Sequence, residues 1–131
     1  MVVDKNLPLG LIANTAAILG CTLGKSIPSI VGDDIIDSDS FMHKGVINTP
    51  LPILSSTKDE IKKLYKKINE KHSEDISVID FNDIAQKCKN YDDYTEKLSC
   101  FKTSELNYLG ICLYGNQKSV NSLTGSMPTL K

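Results

Sequence analysis

The sequence predicts a single α/β domain over residues 1–131, with a mixed sheet of about four strands and helices on both faces. Three observations predict this fold class. Two near-continuous apolar runs, 76–81 and 108–114, are typical of strands that are buried on both faces. Helical segments alternate with the strand-like segments, as they do in α/β folds. The length of 131 residues, with 40% apolar and 24% charged residues, suits one ordinary globular domain.

The chain begins with a predicted strand over residues 1–4, followed by a turn and by a helix over 11–24. Pro8 is favourable in the first turn before such a helix, because its missing N–H is not needed there. The helix is apolar on nearly all sides, so we expect other elements to cover it on more than one side. Gly20 and Gly24 would allow another backbone to approach closely, either that of the sheet or that of a second subunit.

The middle of the chain consists of an irregular segment followed by a short strand. Residues 26–50 are polar and rich in aspartate, and we expect an irregular acidic loop. A short strand is predicted over 51–54. Pro52 favours an edge position for this strand, because proline cannot donate a hydrogen bond to a neighbouring strand.

The next helix has the most regular pattern in the sequence. Thr57 and Glu60 have the spacing of a capping box, in which each side chain accepts a hydrogen bond from the backbone of the other residue. An amphipathic stripe follows at i, i+3, i+4 and i+7, formed by Ile61, Leu64, Tyr65 and Ile68. Six lysines occupy the other face: Lys58, Lys62, Lys63, Lys66, Lys67 and Lys71.

The lysine-rich face has two interpretations. It could bind phosphate groups, but acidic residues are interleaved with the lysines or adjacent to them, and no aromatic residue is placed to stack on bases. A solvated face is the favoured interpretation. The whole chain has 15 basic and 16 acidic residues, whereas dedicated nucleic-acid binders have a basic surplus, so we expect no nucleic-acid partner.

The C-terminal half contributes the two central strands and three short helices. Residues 76–81 and 108–114 are the predicted strands. Between them, residues 82–89 and 92–101 are predicted as two helical stretches, broken at Asn90. The last predicted helix covers 117–123, and Asn116 can cap its start.

Cysteine usage and the N-terminal segment predict the compartment. The four cysteines, Cys21, Cys88, Cys100 and Cys112, show no C-x-x-C spacing, and no pair of histidines completes a zinc site. Each cysteine lies in or beside an apolar run, so we expect buried free thiols in a reducing cytoplasm. The uncharged segment 6–24 lacks the basic start of an export signal, and polar residues interrupt it. We expect a cytoplasmic protein without a membrane association, a metal or a cofactor.

Three polar residues are candidate ligand contacts. Asp80 lies near the C-terminal end of an apolar strand, where α/β sheets often bind ligands. It could act as a general base or bind a ligand, or it could cap the helix that follows. His43 lies in the acidic loop, where Asp37 or Asp39 could orient it for acid–base chemistry, or it could be a loop histidine without a function.

Asn14 is the third candidate. With Thr15 it is polar within an otherwise apolar helix, so it either lines a pocket or forms hydrogen bonds to a neighbour. If Asn14 is buried its amide needs partners, because an unpaired buried amide costs about 1–3 kcal/mol. The sequence contains no glycine-rich phosphate loop, no G-x-S-x-G motif and no H-E-x-x-H motif.

Seven segments form a recognisable series: NLPLG at 6–10, ANTAA at 13–17, His43 with Gly45, PLPIL at 50–54, VIDF at 78–81, YLGI to YG at 108–115 and VNSLTG at 120–125. Together they resemble a bacterial domain-of-unknown-function family, the two-thousandth in its series, over nearly the whole chain. Members of that family share the fold of type 2 peptidyl-tRNA hydrolase, so the resemblance implies this fold here.

The comparison with the hydrolase itself shows both similarities and departures. Thr124 and Gly125 are similar to part of its C-terminal ending, and residues 13–16 are similar to its Ala-Gln-Cys-Ala segment. Its lysine-rich turn before the first helix is replaced here by Leu-Pro-Leu-Gly at 7–10, and its Asp-Ala-Gly-x-Thr motif is missing. Because phosphate contacts dominate RNA affinity, the resemblance implies the hydrolase-like fold without its RNA-binding elements.

We therefore expect a protein that binds a small ligand on a hydrolase-like scaffold. Its pocket would lie near the first helix and the acidic loop, with Asn14, His43 and Asp80 as contacts. The alternatives are hydrolysis of peptidyl-tRNA or a related ester, suggested by the shared fold and the Thr124–Gly125 ending, and a non-enzymatic interaction module. The fold that the resemblance implies often dimerises, and the apolar first helix makes a homodimer a further expectation.

Overall fold

Six strands, five α-helices and two 3₁₀ turns make up the fold in the computed structural model, which describes residues 1–131. The strands are β1 (Val2–Asp4), β2 (Ile35–Ile36), β3 (Met42–His43), β4 (Leu54–Ser56), β5 (Ile76–Asn82) and β6 (Tyr108–Gly115). The helices are α1 (Leu9–Ser26), α2 (Lys58–Lys71), α3 (Asp83–Lys87), α4 (Tyr91–Leu98) and α5 (Gln117–Thr124). The 3₁₀ turns cover Pro28–Ile30 and Thr103–Glu105.

Four of the strands form one mixed sheet in the order β4-β1-β6-β5. Strand β1 is parallel to β4 and antiparallel to β6, with Val2 opposite both Leu54 and Ile111. Strand β5 is antiparallel to β6. The predicted α/β class and the mixed four-stranded sheet are therefore confirmed. Strands β2 and β3 form a separate hairpin within the segment that we expected to be irregular.

The sheet has a hydrophobic core on each face. Alternate side chains along a strand point to opposite faces, so β5 and β6 contribute to both cores, and β1 contributes Val2 to one of them. The α1-side core lies under α1 and contains Met1, Leu19, Leu23, Ile30, Phe81, Leu109 and Cys112. The α2-side core lies under α2 and α5 and contains Val2, Ile61, Leu64, Ile68, Ile76, Leu106, Tyr108, Ile111 and Leu123.

Helix α1 is covered on one side only, contrary to the expectation from its composition. Its buried residues form a single stripe, Ile12, Thr15, Leu19 and Leu23. The side chain of Leu9 is 80% exposed, and Ala13 and Ala17 are exposed as well. The apolar composition reflects many small residues rather than a second covered side, and a homodimer on this side stays a prediction. No helix has both the length and the apolar character needed to cross a bilayer.

Two strand predictions need correction. Strand β5 lies at the edge of the sheet rather than at its centre, and the two inner strands are β1 and β6. The strand expected over 51–54 lies at Leu54–Ser56, after Pro52, because Pro52 has no N–H to donate to a ladder. Strand β4 is the outermost strand in the order of the sheet, as expected, and its Ser55 amide donates to the carbonyl of Pro128.

The expected cysteine burial is wrong for most of the thiols. All four cysteines are free, but only Cys112 is buried, whereas Cys21 and Cys100 are exposed and Cys88 is half-buried. Burial raises the pKa of the Cys112 thiol, which keeps it protonated and unreactive within the α1-side core. Apolar neighbours in sequence did not predict burial, because these helices are covered on one side only.

Candidate functional site

The three residues predicted as ligand contacts lie in different parts of the molecule. Asn14 is exposed on α1, and its amide donates to the Gln86 side chain at 3.4 Å. His43 is exposed on β3, with its Nε2 atom 3.0 Å from the Asp37 carboxylate. Asp80 lies on β5, on the α2 side of the sheet. The structure therefore does not bring these three residues together in one pocket.

His43 has an orienting carboxylate, as we expected, but the pair closes a hairpin turn. One Asp37 oxygen accepts hydrogen bonds from the backbone amides of Asp39 and Phe41, and the other contacts His43. The hydrogen bond from His43 is the main cause that lowers the pKa of Asp37. The Phe41 ring packs edge-on against the imidazole. These contacts hold β2 to β3, and a ligand contact for His43 or Asn14 stays a prediction.

Asp80 belongs to a partly buried polar network. It is opposite Ile111 in the sheet, so its side chain shares the α2-side face with that residue. The Asn82 amide donates both to the Asp80 carboxylate, at 3.0 Å, and to the hydroxyl of Tyr94, at 3.1 Å. Burial raises the pKa of Asp80, and the hydrogen bond from Asn82 offsets part of that shift. A carboxyl with a raised pKa can act as an acid as well as an acceptor.

Asn82, and not Asp80, caps the helix that follows β5. The Asn82 side-chain oxygen accepts from the backbone amides of Ile84 and Ala85, at 3.1 and 3.0 Å. The interpretation of Asp80 as a helix cap is therefore wrong. Asn82 is 1% exposed and uses both ends of its amide, one for α3 and one for the polar network. This leaves the Asp80 carboxylate free of a role in secondary structure.

Two tyrosines lie on the same face as Asp80. The rings of Tyr65 on α2 and Tyr108 on β6 are stacked, with centroids 4.3 Å apart and planes inclined by 28°. Burial raises the pKa of the Tyr65, Tyr94 and Tyr108 hydroxyls, and the charge of Asp80 adds to each shift. The Asp80 carboxylate and the three phenols thus interact electrostatically. We name Asp80, Asn82, Tyr65, Tyr94 and Tyr108 the Asp80 cluster.

The hydroxyl of Tyr108 has no hydrogen-bond partner, although the side chain is 1% exposed. The Tyr65 hydroxyl lies close enough for a weak side-chain interaction that contributes to the pKa shifts of both phenols, but the two hydroxyls do not meet the geometry of a full hydrogen bond. A buried hydroxyl without a partner costs about 1–3 kcal/mol. Phenylalanine would stack on Tyr65 in the same way without that cost, so stacking alone does not require the hydroxyl.

A bulge in β6 places Tyr108 on this face. Phe81 lies opposite Gly110 and Asn82 lies opposite Tyr108, which leaves Leu109 without a partner in β5. Leu109 therefore lies on the α1 side, the same face as Gly110, and Tyr108 lies on the α2 side. With regular alternation Tyr108 would share the face of Gly110. Bulges often redirect a side chain, and this one turns Tyr108 towards α2.

A cavity of about 630 Å³ opens beside the stacked tyrosines. We name it the lysine cavity. It is lined by Lys62, Lys63, Tyr65, Lys66, Asn69, Glu70, Thr103, Ser104 and Tyr108. Three lysines against one glutamate give the lining a net charge of +2. Three of the six lysines on the lysine-rich face of α2 thus line a concave surface, and two of these, Lys63 and Lys66, are exposed to solvent.

A second cavity of about 630 Å³ lies at the other end of β6 and is electrically different. It is bordered by the last turns of α1, the segment 48–52 and α5, and none of its 19 lining residues has a charged side chain. This cavity lies near the first helix and is lined by residues 29–30 and 48–50 of the loop over 26–50, where we expected a pocket, but not by the acidic residues 33–40. None of Asn14, His43 and Asp80 lines either cavity.

The two tyrosines that line the lysine cavity, Tyr65 and Tyr108, were not among the predicted ligand contacts. Tyr65 was part of the apolar stripe and Tyr108 began a predicted strand, so both were assigned to the core. The signal that could have found them is the residue type, because a tyrosine among aliphatic core residues needs a partner for its hydroxyl. No group of three or more His, Cys, Asp and Glu side chains is arranged to hold a metal ion.

Comparisons with known proteins identify relatives by family and by fold. A family model described as "Protein of unknown function (DUF2000)" matches residues 1–131. The solved structure of a protein of unknown function, Atu0240 from Agrobacterium tumefaciens strain C58, is similar with a TM-score of 0.86. It is 14% identical, and the similarity covers 98% of this chain and 93% of that chain, so it shows a shared fold. No curated protein matches.

Proposed function

Since the chain belongs to the DUF2000 family of proteins of unknown function, we propose its function from the site itself: it binds a small ligand in the lysine cavity. A concave site with a few convergent polar groups and titratable groups of shifted pKa is the usual form of a ligand site. The lysine cavity has both features, whereas the second cavity has no charged side chain. The volume of about 630 Å³ suits a small molecule.

The unpartnered hydroxyl of Tyr108 is the observation that carries this proposal. Tyr108 is one of the lining residues and its hydroxyl is buried, so a ligand that reaches this oxygen has to displace neighbouring lining side chains. A ligand that donates to this oxygen or accepts from it would remove the cost of burying the hydroxyl. The binding energy would then include a contribution that the free protein lacks.

Asp80 acts in this proposal through the tyrosines. It does not line the cavity, but its charge raises the pKa of both lining tyrosines, Tyr65 and Tyr108. Asn82 and Tyr94 hold Asp80 in place through the two hydrogen bonds of the Asn82 amide. We therefore treat Asp80 as a positioning residue, because it anchors the Asn82 amide that also holds Tyr94 beside the lining tyrosines.

We further propose that the scaffold is that of type 2 peptidyl-tRNA hydrolase, as the sequence resemblance implies. Ligand binding is preferred over peptidyl-tRNA or related ester hydrolysis for two reasons. The first turn of α1 has no basic residue to hold an RNA phosphate. The Thr124 hydroxyl, part of the ending similar to that of the hydrolase, donates to the Val120 carbonyl within α5 at 2.9 Å. A non-enzymatic interaction module would not need the cavity.

A metabolite screen tests the proposal. The purified chain and two variants, Tyr108→Phe and Tyr91→Phe, are screened by thermal shift, and each binder is measured by calorimetry. Tyr91 is the matched control, because its side chain is 79% exposed and lies outside the cavity. We expect a binder whose affinity falls about tenfold in Tyr108→Phe, the loss of one hydrogen bond, and stays unchanged in Tyr91→Phe. The proposal is wrong if no compound binds, or if every binder is indifferent to both changes.

A further inference from the structure

The charge of the lysine cavity identifies a class of ligand, an inference that rests on the proposed function. We propose that the cavity binds a small organic phosphate monoester, with the phosphate held by Lys62 and Lys63 and the carbon-rich body against the stacked tyrosines. The lining supplies both parts of this recognition: lysine ammonium groups on α2, and the ring pair of Tyr65 and Tyr108.

The pairing of the charges leaves two lysines available. Lys66 lies 3.7 Å from Glu70, one turn along the helix. Lys62 and Lys63 have no carboxylate within 4.0 Å, so neither has an ion-pair partner in the protein. Two unpaired lysines match a phosphate monoester, which carries a charge of about −1.5 to −2 at pH 7. A carboxylate or a sulfate ester would neutralise only one of them.

The hydrogen-bonding groups of the lining are mostly donors, which also suits phosphate. The hydroxyls of Thr103 and Ser104 make no hydrogen bond within the protein, and neither does that of Tyr108. A hydroxyl can donate as well as accept, and an ammonium group only donates. The oxygens of a phosphate dianion only accept, and hydrogen bonds to them are charge-assisted.

The same helix argues for a small molecule rather than a nucleic acid. Lys58, Lys67 and Lys71 lie outside the cavity, and Asp59 and Glu60 precede the cavity lysines on α2. A single-stranded nucleic acid needs a continuous basic groove with successive stacking surfaces. Here the basic residues and the aromatic pair converge on one cavity, which matches one phosphate attached to one carbon-rich group.

Calorimetry at low ionic strength with three matched probes tests the inference on the full chain. The probes are phenyl phosphate, phenyl sulfate and phenol, which share one ring and differ in charge. We expect phenyl phosphate to bind about tenfold more tightly than phenyl sulfate, and phenol to bind most weakly. The double variant Lys62→Gln/Lys63→Gln should lose about tenfold in affinity for phenyl phosphate.

A second double variant, which removes the same number of charges, distinguishes binding by the cavity lysines from attraction by the overall positive charge of α2. The double variant Lys67→Gln/Lys71→Gln removes two charges from the same helix outside the cavity, and we expect it to stay within about twofold of the parent chain. If both double variants lose affinity equally, the cavity lysines have no special role and the inference is wrong. A short RNA oligonucleotide that binds more tightly than phenyl phosphate, and weakens equally in both variants, would replace it with a nucleic-acid surface.

The remaining outcomes distinguish this inference from the proposed function. Equal binding of all three probes would mean that the cavity recognises the ring, which overturns the phosphate inference and leaves small-ligand binding in place. The phosphate inference is also overturned, and small-ligand binding is left in place, if no probe binds but the metabolite screen finds a neutral ligand that needs Tyr108. If neither the probes nor the screen gives a ligand, both proposals are wrong.

Discussion

The buried hydroxyl of Tyr108 gives opposite expectations for two chemically identical changes. Tyr108→Phe removes a hydroxyl that has no partner, and Tyr94→Phe removes a hydroxyl that accepts a hydrogen bond from Asn82 at 3.1 Å. Both tyrosines belong to the Asp80 cluster, and both changes delete one oxygen atom. Only the hydrogen bonding of that atom differs between the two sites.

The expected free energies follow from that difference. Removing an unpaired buried hydroxyl relieves a cost of about 1–3 kcal/mol, and the packing lost with the oxygen offsets part of this gain. We therefore expect Tyr108→Phe to raise the free energy of unfolding of the ligand-free chain by about 1 kcal/mol. Tyr94→Phe should lower it by about 0.5–1.5 kcal/mol, the net value of one hydrogen bond.

Urea unfolding of the parent chain and both variants, at equal m-values, measures the two changes. For a chain of this size 1 kcal/mol corresponds to a melting-temperature shift of about 3–5 °C, so thermal melts are an independent check. A stabilised Tyr108→Phe together with weaker ligand binding is the expected combination. If Tyr108→Phe is destabilised as much as Tyr94→Phe, the hydroxyl has a partner in the free protein and the reasoning fails.

Three further changes test the packing, the pH dependence and the local structure. Gly110→Ala should lower the free energy of unfolding by about 1–3 kcal/mol, because the new Cβ would lie 2.7 Å from Thr15 Cγ2. Gly10→Ala meets nothing within 4 Å and should raise the free energy of unfolding by up to about 1 kcal/mol. The urea midpoints of the two variants compare these effects. Asp80→Asn should be more stable than the parent at neutral pH, because the raised pKa means that folding disfavours the ionised carboxyl. This gain should shrink as the pH falls towards the ordinary value of 3.8, and a gain independent of pH would contradict the assignment. Thr57→Ala should lower stability by about 1 kcal/mol through loss of the capping box, and an unchanged thermal melt would show that the cap is not needed.

Local patterns predicted the helices well. The capping box at Thr57 and Glu60 is present, with the Glu60 amide 3.4 Å from the threonine hydroxyl and the Thr57 amide 3.0 Å from the glutamate. The stripe over Ile61, Leu64 and Ile68 is buried. Asn116 caps α5 as expected. These features depend on residues within one or two turns, so the sequence contains all of the information that they require.

Features that depend on distant pairing were predicted less well. Residues 76–81 were expected in a central strand because the run is apolar and β-branched, but β5 is an edge strand that pairs only with β6. The order of strands in a sheet is decided by long-range contacts that composition does not encode. The exposed side of α1 has the same explanation, since the sequence shows how apolar the helix is but not how many neighbours it has.

The candidate site was missed for a similar reason. Tyr65 and Tyr108 are 43 positions apart, and the bulge at Leu109 is what turns Tyr108 towards α2. Regular alternation along β6 would have placed Tyr108 on the α1 side instead. Asp80 was correctly singled out as a polar residue in an apolar strand. Its hydrogen-bond partner Asn82 lies on the same strand, but the three tyrosines around it come from α2, α4 and β6. The lysines that line the cavity beside these tyrosines are determined by how α2 lies across the sheet.

The most direct test of the account is an NMR titration of the ¹⁵N-labelled chain with phenyl phosphate. We predict saturable shifts of the backbone amides of Tyr65, Thr103 and Ser104, with no change at Leu23 and Ile27 beside the second cavity. Shifts centred on Leu23 and Ile27, or a spectrum that does not change at saturating phenyl phosphate, would contradict the claim that the lysine cavity is a phosphate site.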